Sequence, residues 1–168
     1  MLPLVLASSS PYRRELLERL RLPFAWGTPS IDESRQTDET ADQLVRRLAL
    51  EKAQALADQH PNHLIIGSDQ VAVLGKQILG KPHCLERARD QLLAASGTSV
   101  SFLTGLALLN STTGQYQVDC VPFTVHFREL DAARITRYLE GSSTSSSRWG
   151  SGWPTARRSR TTSTTSAR

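Results

Sequence analysis

Two short apolar runs, each followed by polar residues, constrain the fold of this chain more than any other feature. Residues 2–7 and 63–67 are dominated by aliphatic side chains and are typical of short buried β-strands. A Ser-Ser-Ser-Pro sequence at residues 8–11 follows the first run and predicts a turn into a helix, because proline fits the first helical turn. A Ser-Asp-Gln sequence at residues 68–70 follows the second run. Polar clusters are therefore expected where these strands end, which is where α/β folds bind ligands.

The rest of the chain up to residue 140 carries further helical and strand-like patterns. Apolar residues at helical spacing predict four helices, at residues 12–22, 40–59, 85–96 and 131–140. Apolar, β-rich runs predict three further strands, at residues 24–26, 99–109 and 115–127. Gly75 predicts the turn of a hairpin, Gly97 the end of the third helix, and Asp131 the cap of the fourth. Between the second strand and the second helix, residues 31–39 indicate an acidic, polar loop.

The composition changes abruptly after Glu140. Residues 141–168 contain fifteen Ser or Thr and five Arg, but no Leu, Ile, Val, Phe or Met. Such a segment buries too little apolar surface to offset its ordering entropy, so we expect a disordered tail. Without those five arginines the formal charge of +4 becomes −1, from 15 basic against 16 acidic residues. The basic balance belongs to the tail, which argues against nucleic-acid binding by the body of the chain.

Several features favour a cytoplasmic location. No apolar run approaches the length of a membrane span, and the N-terminus lacks the pattern of a signal peptide. The two cysteines, Cys84 and Cys120, are too few for a disulfide framework and too far apart for a zinc site, which favours free thiols in a reducing compartment.

The start of the first predicted helix suits a phosphate group. The Ser8 hydroxyl and backbone N–H groups at a helix start are typical phosphate ligands, and Arg13 and Arg14 add charge-assisted bonds. Taken alone, this cluster is also consistent with a serine cap followed by solvated arginines.

Four further charged residues are candidates for chemistry. A carboxylate such as Asp69 at a strand end can bind a divalent ion or accept a proton from water, although an Asx-turn is the common alternative. Lys81, in the Gly-Lys-Pro turn at residues 80–82, suits a triphosphate oxygen or simply faces solvent. Glu33 and Lys52 complete the set, with a surface ion pair or a solvated face as their default interpretation.

Other common sites are not indicated. The sequence contains no GxxxxGK[ST] loop and no GxSxG elbow. The four histidines, His60, His63, His83 and His126, lack the spacing of metal ligands.

Taken together, the motifs resemble the Maf family over residues 1 to 140. The signature is Leu-Ala-Ser-Ser-Ser-Pro-Tyr-Arg-Arg-Glu-Leu-Leu at residues 6–17, with Ile-Asp-Glu at 31–33, Leu-Glu-Lys-Ala at 50–53, Ile-Ile-Gly-Ser-Asp-Gln-Val at 65–71 and Gly-Lys-Pro at 80–82. The resemblance implies an α/β fold, a mixed twisted sheet flanked by helices, similar to inosine-triphosphate pyrophosphatases. It also implies hydrolysis of the α–β phosphoanhydride bond of modified nucleotides, a divalent cation (Mg²⁺ or Mn²⁺), and a homodimer.

The resemblance also implies a role for each matching residue. Asp69 is expected to act as general base or metal ligand, and Glu33 to bind the metal. The residues expected to bind the phosphates are Ser8, Arg13, Arg14, Lys52 and Lys81. Tyr12 and Gln70 resemble the branch acting on 7-methyl-GTP, whereas the branch acting on dTTP and UTP has arginine and threonine there. An aromatic ring at Tyr12 suits a methylated guanine, because that base is cationic.

The chain departs from the family pattern after Glu140. The family continues with a motif like C-A-G-S-F-K-x-E-G-x-G, and a third specificity residue, a glutamate, is expected near Pro154. We therefore expect a Maf-like domain at residues 1–140 and an aberrant tail at 141–168. An out-of-frame translation is the hypothesis that this composition favours, and resequencing the gene tests it.

Three alternatives stay open at this point. The first is a pyrophosphatase of the same family for dTTP or UTP. The second is a nucleotide-binding protein without catalysis that inhibits septum formation. The third is a nucleic-acid-binding protein that uses the basic tail. The main interpretation requires that Glu33 and Asp69 converge with Arg13, Lys52 and Lys81 around one cleft.

Overall fold

The computed structural model describes residues 2–80 and 84–142, without the side chains of residues 141 and 142. The predicted turn at Lys81 and residues 143–168 of the predicted tail therefore lie outside the described residues.

A six-stranded mixed sheet forms the centre of the molecule, with strand order β2-β1-β3-β5-β6 and β4 paired to β3. The strands are β1 (Leu4–Ala7), β2 (Phe24–Gly27), β3 (Leu64–Leu74), β4 (Gln77–Leu79), β5 (Ser99–Asn110) and β6 (Tyr116–His126). β1 lies parallel to β2 and to β3, whereas β3, β5 and β6 pair antiparallel. The α/β fold class with a mixed sheet and flanking helices is confirmed.

In the described part of the chain four helices accompany the sheet, and three begin at a capping side chain. They are α1 (Pro11–Glu18), α2 (Ala41–Gln54), α3 (Leu85–Ala95) and α4 (Ala132–Ser142). Ser10 accepts a hydrogen bond from the backbone of Arg13, and Thr40 forms a reciprocal capping box with Gln43. The predicted cap at Asp131 is confirmed, because its Oδ1 accepts from the backbone N–H of Arg134 at 2.7 Å.

Two helices end earlier than the sequence pattern predicts. α1 stops at Glu18 instead of residue 22, and Arg21 then adopts a left-handed φ of 54°. Leu20 and Leu22, which suggested a longer helix, stay largely exposed. α2 stops at Gln54 instead of residue 59, although Leu56 remains buried in the turns that follow. Apolar spacing continues past both helix ends, so it does not mark their boundaries.

The predicted end of the second apolar run at residue 67 is wrong. β3 continues to Leu74, so Asp69 lies inside a strand and not in a turn. The reason is the neighbouring strands: the parallel partner β1 stops at Ala7, opposite Gly67, while β5 pairs with β3 as far as Leu74. Asp69 therefore lies two residues past the end of β1, beside the segment that leads into α1.

Helix α2 packs directly on the sheet because two strand glycines leave room for its backbone. A Cβ atom at Gly67 would overlap the backbone of Ala49, and one at Gly105 would overlap the backbone of Val45. Gly105 is also the cross-strand partner of Asp69. The core under α2 contains Val5, Ala7, Ala53, Leu56, Ile65 and Leu109. This close approach places the middle of α2 beside the centre of β3.

Helices α3 and α4 cover a second part of the structure. One apolar cluster joins the far half of β3 to the end of α3, through Ala72, Leu79, Ala95 and Val100. Another joins α3 to α4 through Ala88, Leu92, Ile135 and Leu139. Among the described residues, no helix is both long and apolar enough to cross a membrane.

Candidate active site

An ionic cluster links α2, β3 and the acidic loop. The ammonium of Lys52 lies 2.7 Å from Oδ1 of Asp69 and 2.9 Å from Oε1 of Glu33. The side chains of Lys52 and Asp69 are 7% and 11% exposed, whereas Glu33 is 47% exposed. Lys52 and Asp69 are therefore the buried part of the cluster, and the carboxylate of Glu33 reaches solvent. A solvated surface pair, the default interpretation of Lys52, does not describe this amine.

Arg13 belongs to the same electrostatic environment. It lies in the first turn of α1, where Ser10 caps the helix, and its guanidinium is partly buried. Burial lowers the pKa of Arg13, and the negative charges of Asp69 and Glu33 oppose that decrease. The charges of Asp69 and Glu33, which contact Lys52, therefore also act on Arg13 at the start of α1. Lys81, the fifth group expected to join them, lies outside the described residues.

Ser8 shapes the turn between β1 and α1. Its side chain is buried, and its Oγ accepts a hydrogen bond from the backbone N–H of Ser10 at 3.1 Å. This contact holds the start of α1 above the end of β1. The Ser8 hydroxyl thus has a structural partner in addition to the phosphate role implied by the resemblance.

Tyr12 and Gln70 are more exposed than Lys52 and Asp69. Tyr12 is 45% exposed on α1. Gln70 is exposed, and its Nε2 donates to Oγ1 of Thr104 at 2.8 Å. Because neighbouring residues of a strand point to opposite faces, Gln70 and Asp69 diverge. The sequence analysis did not identify Thr104 as a site residue, because only the pairing of β3 with β5 brings it opposite Gln70.

Arg14 is placed differently from Arg13. Its guanidinium lies over the ring of Trp26, 4.0 Å from the ring centroid, in a cation–π contact. Both residues line an open cavity of about 490 Å³ between α1 and β2. The residues lining that cavity are Pro11, Arg14, Glu15, Glu18, Leu22, Pro23, Phe24 and Trp26. Of the predicted site residues that the structure describes, only Arg14 lines it.

A second set of charges ties the acidic loop to α2. Arg47 lies 2.6 Å from Oε1 of Glu39 and 3.1 Å from Oε2 of Glu51, and it donates to the carbonyl of Ser34. The hydrogen bond from Arg47 is the main reason why the pKa of Glu39 is lowered, although desolvation opposes it. These contacts hold the loop against α2 on the C-terminal side of Glu33. The sequence showed only the helical spacing of Arg47 and Glu51, and gave no signal for Glu39.

The donor set of the cluster suits a hard cation. Two carboxylates already share one positive group, the ammonium of Lys52. Mg²⁺ is commonly held by one or two carboxylates together with substrate phosphates, which matches this pair. The described residues contain no group of three or more His, Cys, Asp or Glu side chains arranged to hold a metal ion. The pair therefore fits a cation that completes its coordination with phosphate oxygens.

Comparison with known proteins places the chain in a family. Residues 3–150 match the family described as Maf-like protein. A 7-methyl-GTP pyrophosphatase of Pseudomonas fluorescens (strain Pf0-1) is 73% identical over 139 residues, covering 83% of this chain and 72% of the relative. A protein of the same name from Alcanivorax borkumensis is 63% identical, covering 82% of this chain and 70% of the relative.

Solved structures support the fold. The structure of a HAM1 protein from Coxiella burnetii matches with a TM-score of 0.53 at 19% identity, over 75% of this chain and 73% of that one. At this identity the similarity concerns the fold alone. The family match and the identity to relatives, which the chain covers over more than two thirds of their length, lead to one conclusion: the chain belongs to the Maf family.

Proposed function

We propose that this protein hydrolyses 7-methyl-GTP to 7-methyl-GMP and pyrophosphate. The observation that carries the proposal is the contact of Lys52 with both Glu33 and Asp69, whose charges also act on Arg13 at the start of α1. Carboxylates beside cations are what a metal-assisted attack on a polyphosphate requires. The names of the relatives supply the substrate, because several proteins at 63–76% identity are called 7-methyl-GTP pyrophosphatase.

Asp69 is the proposed general base. In this role it takes a proton from a water molecule that attacks the α-phosphorus, while the bond to the β-phosphate breaks and pyrophosphate leaves. Its location supports the role: its side chain is largely buried, and it contacts Lys52 beside Glu33. Glu33 and Asp69 are the proposed ligands of Mg²⁺ or Mn²⁺. The ion supplies Lewis-acid stabilisation of the phosphate charges when bound.

The cationic and hydroxyl groups are proposed to bind the triphosphate. Arg13 is the strongest candidate, because it lies in the first turn of α1, where backbone N–H groups also face outward. The other proposed phosphate ligands are Ser8, Arg14, Lys52 and Lys81. For Arg14 this requires a rotation away from Trp26.

Tyr12 and Gln70 are proposed to select the base. Both side chains are exposed, so a nucleotide can reach them. A tyrosine ring attracts the positive charge of a methylated guanine, and the amide of Gln70 can hydrogen-bond a base edge.

Comparative turnover tests the function. The purified chain is incubated with 7-methyl-GTP, GTP, dTTP and UTP, with Mg²⁺ or Mn²⁺, and pyrophosphate is measured. We expect the highest kcat/KM for 7-methyl-GTP, and preference for dTTP or UTP would support the other branch of the family.

Asp69→Asn should lower kcat by about 100-fold or more, because it removes the general base. Asp58→Asn, in the turns after α2, is the control and should behave like the parent. Equal turnover by Asp69→Asn and the parent would eliminate the role of Asp69.

We also propose a domain boundary, a cellular location and a state of association. Residues 1–140 form the catalytic domain, and residues 141–168 are a tail without catalytic groups. The location is cytoplasmic, which the two free cysteines favour. The protein acts on a small nucleotide, without nucleic acid or membrane, and two copies associate. Size-exclusion chromatography with light scattering tests the association, and a monomeric mass at micromolar concentration would contradict it.

A further inference from the structure

We infer that Lys52 is the resident counter-ion of the carboxylate pair and occupies the place that a divalent cation takes. The inference rests on the proposed function, which assigns a metal to Glu33 and Asp69. It adds a role for Lys52 that differs from a simple phosphate ligand. The direct observation is that one ammonium contacts both carboxylates, at 2.7 Å and 2.9 Å.

Burial explains why a counter-ion is needed. Asp69 is largely buried in the sheet, and an unpaired carboxylate there would be strongly unfavourable. Lys52 reaches it from α2, because Gly67 and Gly105 let that helix lie directly on the strands. The amine therefore offsets one of the two negative charges before any ligand is present. Arg13 contributes a second positive charge from α1.

A divalent cation and the ammonium of Lys52 compete for the same oxygens. Oδ1 of Asp69 and Oε1 of Glu33 both face the Nζ atom, and an ion bound by these atoms would meet a positive charge at contact distance. Binding the ion therefore requires that the ammonium moves away. A lysine has a long flexible stem, which permits such a movement without a change in the helix.

The displaced ammonium remains near the phosphates. Lys52 is then free to contact a phosphate oxygen of the nucleotide, which is the role that the resemblance implies. Metal binding and phosphate binding become linked through one side chain, because each favours the position of Lys52 that the other needs. A lysine whose ammonium lay away from the carboxylates and met only phosphate would affect metal affinity in the empty protein much less.

Mn²⁺ titration of the whole chain without nucleotide tests this inference. Calorimetry or Mn²⁺ electron paramagnetic resonance measures the Kd for the parent, Lys52→Met and Lys52→Gln. We expect both neutral variants to bind Mn²⁺ about tenfold more tightly, because the competing charge is gone. Lys52→Arg keeps the charge and should bind like the parent. Lys76→Met, on the exposed β3–β4 turn, is the matched control for overall charge and should leave the Kd unchanged.

Each outcome either supports or overturns the role of Lys52 as counter-ion. Neutral variants that fold by circular dichroism but bind Mn²⁺ equally or more weakly would overturn the counter-ion role. Should neither variant fold, Mg²⁺ is titrated into the parent while the Lys52 side chain is followed by NMR. A shift of the Nζ or Cε signal supports the role, and an unchanged signal at saturating Mg²⁺ overturns it. Turnover of 7-methyl-GTP by the parent is measured separately. Turnover together with weaker Mn²⁺ binding in the variants would reject the counter-ion and leave the proposed function intact.

Discussion

Gln70, which we propose to select the base, contacts Thr104. The amide of Gln70 is exposed, and one hydrogen bond from Nε2 to the Thr104 hydroxyl holds it in place. A long amide side chain loses rotamer freedom when it binds a base, so a partner that orders it beforehand reduces that cost. Thr104 is therefore expected to act through Gln70 as a positioning residue.

Replacing Thr104 by valine tests this positioning. The change keeps the shape of the side chain but removes the hydroxyl, so Gln70 loses a hydrogen bond worth about 1 kcal/mol. We expect KM for 7-methyl-GTP to rise by roughly threefold to tenfold with little change in kcat. Thr124→Val, which breaks the Ser101–Thr124 contact farther along the sheet, is the control. A KM equal to that of the parent would show that Gln70 needs no support from Thr104.

At the scale of elements, the packing of α2 on the sheet decides where the ionic cluster forms. α2 supplies Lys52, and β3 supplies Asp69. The loop that carries Glu33 is held to α2 by the contacts of Arg47 with Glu39 and Ser34. The distance between helix and strands is set by Gly67 and Gly105, which have no side chain to separate them.

Gly105→Ala is expected to destabilise the fold. Its new methyl group would overlap the carbonyl of Val45, and a backbone atom cannot move away as a side chain can. We expect a loss of about 1–3 kcal/mol in the free energy of unfolding, measured by urea denaturation. Gly80→Ala serves as control, because a Cβ atom there meets none of the described residues within 4 Å. Similar midpoints for both variants would mean that α2 can shift without cost.

At the scale of the whole molecule, the described structure ends close to the predicted boundary of the catalytic domain. α4 continues to Ser142, two residues past the predicted end at Glu140. The family match reaches residue 150, which is farther than the composition of the chain suggests. The composition and the family match thus give different ends for the domain, and measured turnover decides between them.

Chains ending at residue 142 and at residue 150 test this boundary. The proposed site residues all precede residue 142, so both shortened chains should keep kcat/KM for 7-methyl-GTP within about twofold of the full chain. Circular dichroism checks that each is folded. Loss of turnover only in the shorter chain would move the boundary to the end of the family match. Loss in both would assign a role to residues 151–168.

Local sequence signals were enough for most elements. Six predicted elements lie within a few residues of the observed ones: β1, β2, α3, β5, β6 and α4. Capping at Asp131 and the turn at Gly75 also follow from single residues, because these signals act over a few positions. The family motifs likewise identified Asp69, Lys52 and Glu33 as candidates before any distance was known.

Only the tertiary structure decided how those candidates relate. The length of β3 depends on β5, a strand 25 residues farther along, so its own residues could not reveal that Asp69 lies inside a strand. The same is true of the contact of Lys52 with two carboxylates, the contact of Gln70 with Thr104, and the stacking of Arg14 on Trp26. Sequence patterns report on the burial of a residue and on its nearest neighbours along the chain. Which charged groups share a site depends on how strands pair and how closely a helix approaches them, and those are properties of the folded molecule.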